Sequence, residues 1–136
     1  MNDRELANAY IAALDAGDVS GLLALFAPGA MVHSPLYGSV AAPEFYREMF
    51  AKSGNSKGTL LGVLGRGQTV GGRALVAFWF RFDWILASGT HAPFDVVDLC
   101  ELDDQGLIIN LNIVYDTATV RPLLEGESIT MFSDKK

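Results

Sequence analysis

Along the first fifty residues the apolar positions recur every three or four places. Between Asp3 and Ala16 they fall at Leu6, Ala9, Tyr10, Ala13 and Leu14, which is the spacing of a helix with one buried face. Gly17 supplies a stop. Asp18 is placed to cap a second helix over 19–26, which Ala27-Pro28-Gly29 ends. Residues 30–34 form a short strand candidate closed by Pro35, and Pro43 suits the first turn of a third helix running to about Lys52. Beyond Ser53 the period shortens to two. Strands are predicted over 58–64, 73–86, 94–102 and 107–115, with turns at Gly71-Gly72, Ser88-Gly89 and Asp103-Asp104-Gln105-Gly106. The glycine-rich stretch 65–72 reads as part of such a turn, His91 as a solvated loop residue, 117–124 as a short closing helix and 125–136 as a tail. Helices followed by an antiparallel meander predict an α+β domain, with the helices packed on one face of a curved sheet. The 136 residues suit one domain, 1–136, with a core over about 3–124.

Side chains alternate across a strand. In 73–86, Phe78, Phe80, Phe82 and Trp84 share one face, and Ala77, Trp79, Arg81, Asp83 and Ile85 share the other. Both faces are apolar enough to need cover, one from the helices and the other from a second copy of the chain. A homodimer through the sheet is therefore expected. In 94–102, Asp98 is the lone carboxylate on a face shared with Phe94, Val96, Cys100 and Leu102. Desolvation raises the pKa of such an acid, and a protonated acid donates a hydrogen bond at neutral pH. The plainer alternative is a hydrogen-bonded or ion-paired core carboxylate. Tyr10, on the buried side of the first helix, needs a partner for its phenol. Asp95 lies on the face opposite Asp98. Arg81 and Asp83 form an R-x-D pair that can bind each other or a ligand. His33 and Ser34 alternate, so at most one of them points into a given pocket, and His33 is the residue suited to titrate near neutrality.

Composition narrows the functions. Half of the residues are hydrophobic and 19% are charged, which argues against disorder and for apolar surface covered by a ligand or a partner. The net charge of −6 and the scattered basic residues do not suit a nucleic-acid surface. No apolar run reaches the ~18 residues of a membrane span. The start of the chain lacks the apolar core of a signal peptide, and the single cysteine, Cys100, fits a reducing compartment. A cytoplasmic protein is expected. There is no CxxC, HExxH or phosphate-loop spacing, so neither a metal nor a cofactor is expected.

The segment YIAALDAGDVSGLLALFAPGAMVHSPLYG, residues 10–38, resembles the N-terminal signature of the nuclear transport factor 2-like superfamily, in the branch of steroid delta-isomerases and SnoaL-like polyketide cyclases. FDVVDLCELDDQGLIINLNIVYD, residues 94–116, resembles that group's last hairpin. The resemblance spans about 3–124 and implies a cone: a curved sheet wrapped around three N-terminal helices, with a ligand pocket at the open end and, in many members, a dimer through the convex face. In ketosteroid isomerases a tyrosine of the first helix and a protonated aspartic acid form an oxyanion hole, and Tyr10 and Asp98 fall on those positions. The family's base aspartate precedes the proline of a turn, where this chain has Ser34, and a serine hydroxyl is no carboxylate base near neutral pH. Limonene-epoxide hydrolases are also similar. Arg81 and Asp83 match their R-x-D pair, while the position of their water-activating aspartate on the last strand falls at Ile113.

Three functions follow as expectations. The first is an isomerase or cyclase acting near a carbonyl of a small hydrophobic molecule, with Tyr10 and Asp98 stabilising charge on oxygen and Asp83, His33 or a water held by Ser34 as base. The second is water addition to an epoxide through Arg81 and Asp83. The third is a protein that binds a hydrophobic ligand without turning it over. The similarity to the epoxide hydrolases favours Trp79, Arg81, Asp83 and Ile85 as pocket-lining, with the phenylalanine row against the second subunit. Ser34, His33, Val96, Tyr115 and Phe50 complete the expected binding residues.

Overall fold

The computed structural model describes residues 1–126; most of the expected tail, 127–136, lies outside the described residues. Helix α1 (Asp3–Ala16) begins at a capping box in which Asn2 and Glu5 satisfy each other's backbone N–H, and it ends at Gly17, whose φ of 64° is left-handed. Asp18 accepts from Gly21 N to start α2 (Val19–Leu23). This helix is shorter than its pattern predicts. Ile108 N takes the carbonyl of Leu25, so the chain leaves the helix early and Phe26 opens strand β1 (Phe26–Ser34). A tight turn then gives β2 (Gly38–Ala41), a short edge strand with no apolar alternation to announce it. Pro43 sits in the first turn of α3 (Ala42–Ala51).

Four strands follow: β3 (Lys57–Gln68), β4 (Ala74–Ile85), β5 (His91–Leu102) and β6 (Ile108–Val114), and then α4 (Thr117–Glu125). The sheet order is β2-β1-β6-β5-β4-β3. The meander β3 to β6 is antiparallel, whereas β1 joins β6 in parallel, a crossover that the meander pattern does not predict. Strand β3 runs into the first half of the glycine-rich stretch, to Gln68, with two irregularities in its register; the expected turn follows over 69–72, closed by Gly72 N donating to the Thr69 carbonyl. His91, expected in a loop, opens β5 opposite Ile85.

The helices cover one face of this sheet. At Gly58 the backbone of β3 comes close to α1: a Cβ there would sit 2.9 Å from Ile11 Cγ2, and Gly58 N donates to Asp15 Oδ1 at 2.7 Å. The core lies between, built from Leu6, Tyr10 and Leu14 of α1, Phe45 and Tyr46 of α3, and the buried row Phe78, Phe80, Phe82 and Trp84 of β4. No helix among the described residues is long and apolar enough to cross a membrane.

Candidate functional site

The register of one hairpin decides which side chains face the helices. Strands β4 and β5 pair Phe78 with Asp98, Phe80 with Val96 and Phe82 with Phe94. Residues directly opposite each other share a face, so Asp98 belongs with the phenylalanine row. This corrects the expected pocket wall. Arg81 stands opposite Asp95 and meets it at 3.4 Å on the outer face. Trp79 is 47% exposed there, and Asp83 and Ile85 alternate with it on that face, outside the cavity lining. Nor do Phe78, Phe80 and Phe82 face outward towards a second subunit; they are buried under the helices. His33 also lies away from the cavity, with Nδ1 against Ser39 Oγ at 2.7 Å and Nε2 against Asn110 Oδ1 at 3.0 Å.

Between helices and sheet is a narrow cavity. Its volume is about 50 Å³. Phe80, Phe82, Trp84 and Phe94 form the sheet side, and Leu14, Phe45 and Met49 the helix side. Of the expected residues, Tyr10, Ser34, Val96, Asp98 and Tyr115 line it, as does Ile113. Phe50 instead lines a neighbouring hollow.

Asp98 is 1% exposed. Neither carboxyl oxygen has a hydrogen-bond partner among the described residues. Burial pushes its pKa up to about 8; the nearby Tyr10 phenol opposes the rise, although it does not reach hydrogen-bonding geometry. Most of the Asp98 population is then protonated at neutral pH. Such an acid offers one donor and spare acceptor capacity.

Beside it, Tyr10 and Tyr46 share a buried hydrogen bond of 2.6 Å between their hydroxyls. One phenol donates to the other, which leaves the second proton for Asp98 or for a ligand. Burial first, then the Asp98 charge, raises both phenols well above the ordinary tyrosine value. Burial likewise raises the neighbouring Cys100 thiol. All of these groups are therefore held in their neutral, donor-bearing forms.

Tyr46 escapes a reading that looks for isolated polar groups on strands. Its signal was the helical stripe Ala42, Phe45, Tyr46, Met49 and Phe50, which presents a tyrosine to the core as α1 presents Tyr10.

A second polar group lies one step along the sheet. Tyr115 stacks on Phe94 with ring centroids 4.3 Å apart. Burial raises its pKa, against the lowering effects of Arg121 and the Ser34 hydroxyl. Ser34 Oγ accepts from Leu36 N at 3.1 Å and from Tyr37 N at 3.3 Å, so this side chain caps the turn into β2. Within the cavity lining, Asp98 is the carboxyl group.

The family model of the SnoaL-like domain matches residues 7–111. The chain belongs to the SnoaL-like family. It thereby falls in the nuclear transport factor 2-like superfamily that its N-terminal segment resembles. No functionally curated protein matches it. Solved structures share the fold of this SnoaL-like protein at low identity. TerC, co-crystallised with polyporic acid, is 19% identical with a TM-score of 0.72, over 91% of this chain and 98% of that one. A protein of ketosteroid isomerase-like fold from Catenulispora acidiphila, in complex with trimethylamine, is 16% identical with a TM-score of 0.72, over 85% and 88%. A proposed polyketide cyclase from Pseudomonas putida is 20% identical with a TM-score of 0.62, over 88% and 96%.

Proposed function

We propose that this SnoaL-like protein is an isomerase- or cyclase-type enzyme that polarises a carbonyl oxygen of a small, largely apolar molecule through Asp98 and the Tyr10–Tyr46 pair. One observation carries the reading: a fully buried carboxyl, without a partner for either oxygen among the described residues, in the wall of an apolar cavity beside two linked phenols. An unpaired buried polar group costs roughly 1–3 kcal/mol, and a ligand oxygen removes that cost. As negative charge grows on the oxygen, fixed neutral donors in a dry site strengthen their hold without reorganising, an effect of about 10²–10³ in rate for one donor.

The missing base narrows the reaction. Ser34 Oγ already accepts two backbone N–H groups of the turn, and Asp83 and His33 lie away from the cavity. A carbon flanked by two carbonyls ionises without a strong base, whereas an unactivated ketone does not. The substrate is accordingly a 1,3-dicarbonyl type of compound. In a cyclase step its enolate carbon attacks a second carbonyl, one C–C bond forms, and the new alkoxide takes the Asp98 proton. The proton released on enolisation, passed through water, restores the acid. The water-addition reading loses its support, since Arg81 and Asp83 are outside the cavity and Ile113 is apolar.

Binding without turnover is the second reading, and the use of Ser34 as a turn cap favours it. The test for polarisation is the binding of 2-naphthol, followed by its fluorescence, to the wild type, Asp98→Asn and Asp98→Leu. Loss of the donor in Asp98→Leu weakens binding at least about tenfold, the worth of roughly 1.4 kcal/mol, with a smaller loss in Asp98→Asn. Equal affinity for all three proteins would sink the donor role. Turnover of a 1,3-dicarbonyl compound by the wild type and not by Asp98→Leu separates enzyme from binder.

The reading extends to assembly. On the outer face Trp79, 47% exposed and lying over Gly62, and Leu64, 71% exposed, line a shallow apolar hollow with Val63, Ala77 and Val97. A second copy related by a two-fold axis can pack this apolar face against its own counterpart, the self-complementary arrangement that a symmetric dimer requires.

A further inference from the structure

A second hollow adjoins the cavity. Leu14, Met49 and Phe82 belong to both linings, so these three side chains form a partition rather than an end wall. The second hollow has a volume of about 100 Å³. Its character differs. The loop carrying Ser53, Asn55 and Ser56 and the end of α1 at Asp15 bring polar groups to it, where the first cavity is apolar apart from its phenols, Ser34 and Asp98.

The polar groups are partly committed. Ser53 Oγ donates to the Met49 carbonyl at 2.6 Å and accepts from Trp84 Nε1 at 2.7 Å. Asp15 Oδ1 accepts from Gly58 N, and a carboxylate has acceptor capacity beyond one such bond. The hollow therefore suits a hydrogen-bond donor. Its position along the site is fixed by β4: Asp98 stands opposite Phe78, and the partition includes Phe82, four residues on, or roughly 13 Å along a strand. Within the partition, Phe82 is held by edge-on packing against Phe80 and Phe94. Methionine is unbranched, with three rotatable bonds, so Met49 is the member that can move without disturbing the sheet.

We propose that the binding site has two chambers, that Met49 is the movable part of the partition between them, and that the ligand carries an apolar ring body for the first and a hydroxyl-bearing tail for the second. The inference rests on the reading that Asp98 holds an oxygen at the far end of that body, and it names the other end of the same ligand class.

The test compares three probes: 2-naphthol, 6-(3-hydroxypropyl)-2-naphthol, and 6-butyl-2-naphthol as an apolar tail of equal length. In the wild type the hydroxylated tail should improve affinity about tenfold over 2-naphthol, and the butyl tail should improve it less. Met49→Ala should enlarge the gain from the hydroxylated tail, and Met49→Trp should abolish it. Asp98→Leu should weaken all three probes alike and leave the gain from the tail in place. A hydroxylated tail that adds nothing in the wild type, or no more than butyl, overturns the second chamber while 2-naphthol binding still stands. A gain from the tail that is the same in wild type, Met49→Ala and Met49→Trp overturns the role of Met49. Failure of 2-naphthol itself to bind overturns the first-chamber reading, and this one with it.

Discussion

At the scale of single residues, the protein buries the Asp98 carboxyl in a cavity wall and, among the described residues, gives neither of its oxygens a hydrogen-bond partner. The consequence is a pH-dependent stability with a definite sign. In the unfolded chain Asp98 titrates near ~3.9, and in the folded protein at about 8. Between those values the folded state holds a proton that the unfolded state has released. Stability therefore falls as pH rises, by at most roughly 1.4 kcal/mol per pH unit. The contribution is intact below about pH 4 and fully lost above about pH 8. Asp98→Asn has no such slope, so urea unfolding should show the variant gaining on the wild type from about pH 5 to about pH 8. A constant difference across that range would contradict the buried, protonated state. Asp98 itself was legible in the sequence, because a lone carboxylate in an apolar alternation needs no tertiary information to stand out. Tyr46 was less so, since a tyrosine among helical core residues looks like packing until its hydroxyl is seen 2.6 Å from that of Tyr10.

At the scale of elements, the cavity lies between the helices and the sheet, and α1 approaches β3 closely at one point. Gly58 is that point: it admits Ile11 and donates to Asp15. Gly58→Val should destabilise the fold by about 1–3 kcal/mol through overpacking, measurable in a chemical denaturation midpoint. An unchanged midpoint would mean that α1 can shift outward without cost. The helices and the strands of the meander were readable from period and punctuation. Strand β2 and the parallel β1–β6 pairing were not, because one is too short to show alternation and the other joins residues far apart in sequence. The side of Arg81 was a parity question. Strands β4 and β5 pair outward from Ile85 and His91, and a shift of one residue in that pairing would have exchanged the two faces.

At the scale of the whole molecule, the sheet separates two apolar surfaces with different uses. The inner one, with the phenylalanine row, closes on the helices and the cavity; the outer one carries the exposed Trp79 and Leu64, the face proposed to meet a second copy. Sedimentation should give a dimer for the wild type and a monomer for Trp79→Glu. A wild-type monomer at tens of micromolar would contradict the self-complementary face. One face of β4 is covered by the helices as expected, while the assignment of rows to faces followed a likeness to another branch and failed. What unites the inner surface is the neutral acid at its centre. Its titration, followed by the carboxyl ¹³C signal assigned through Asp98→Asn, measures it directly. The signal should report a protonated carboxyl at neutral pH and move only as pH passes about 8. A midpoint near the ordinary ~3.9 would contradict a proton-donating Asp98 and the function built on it.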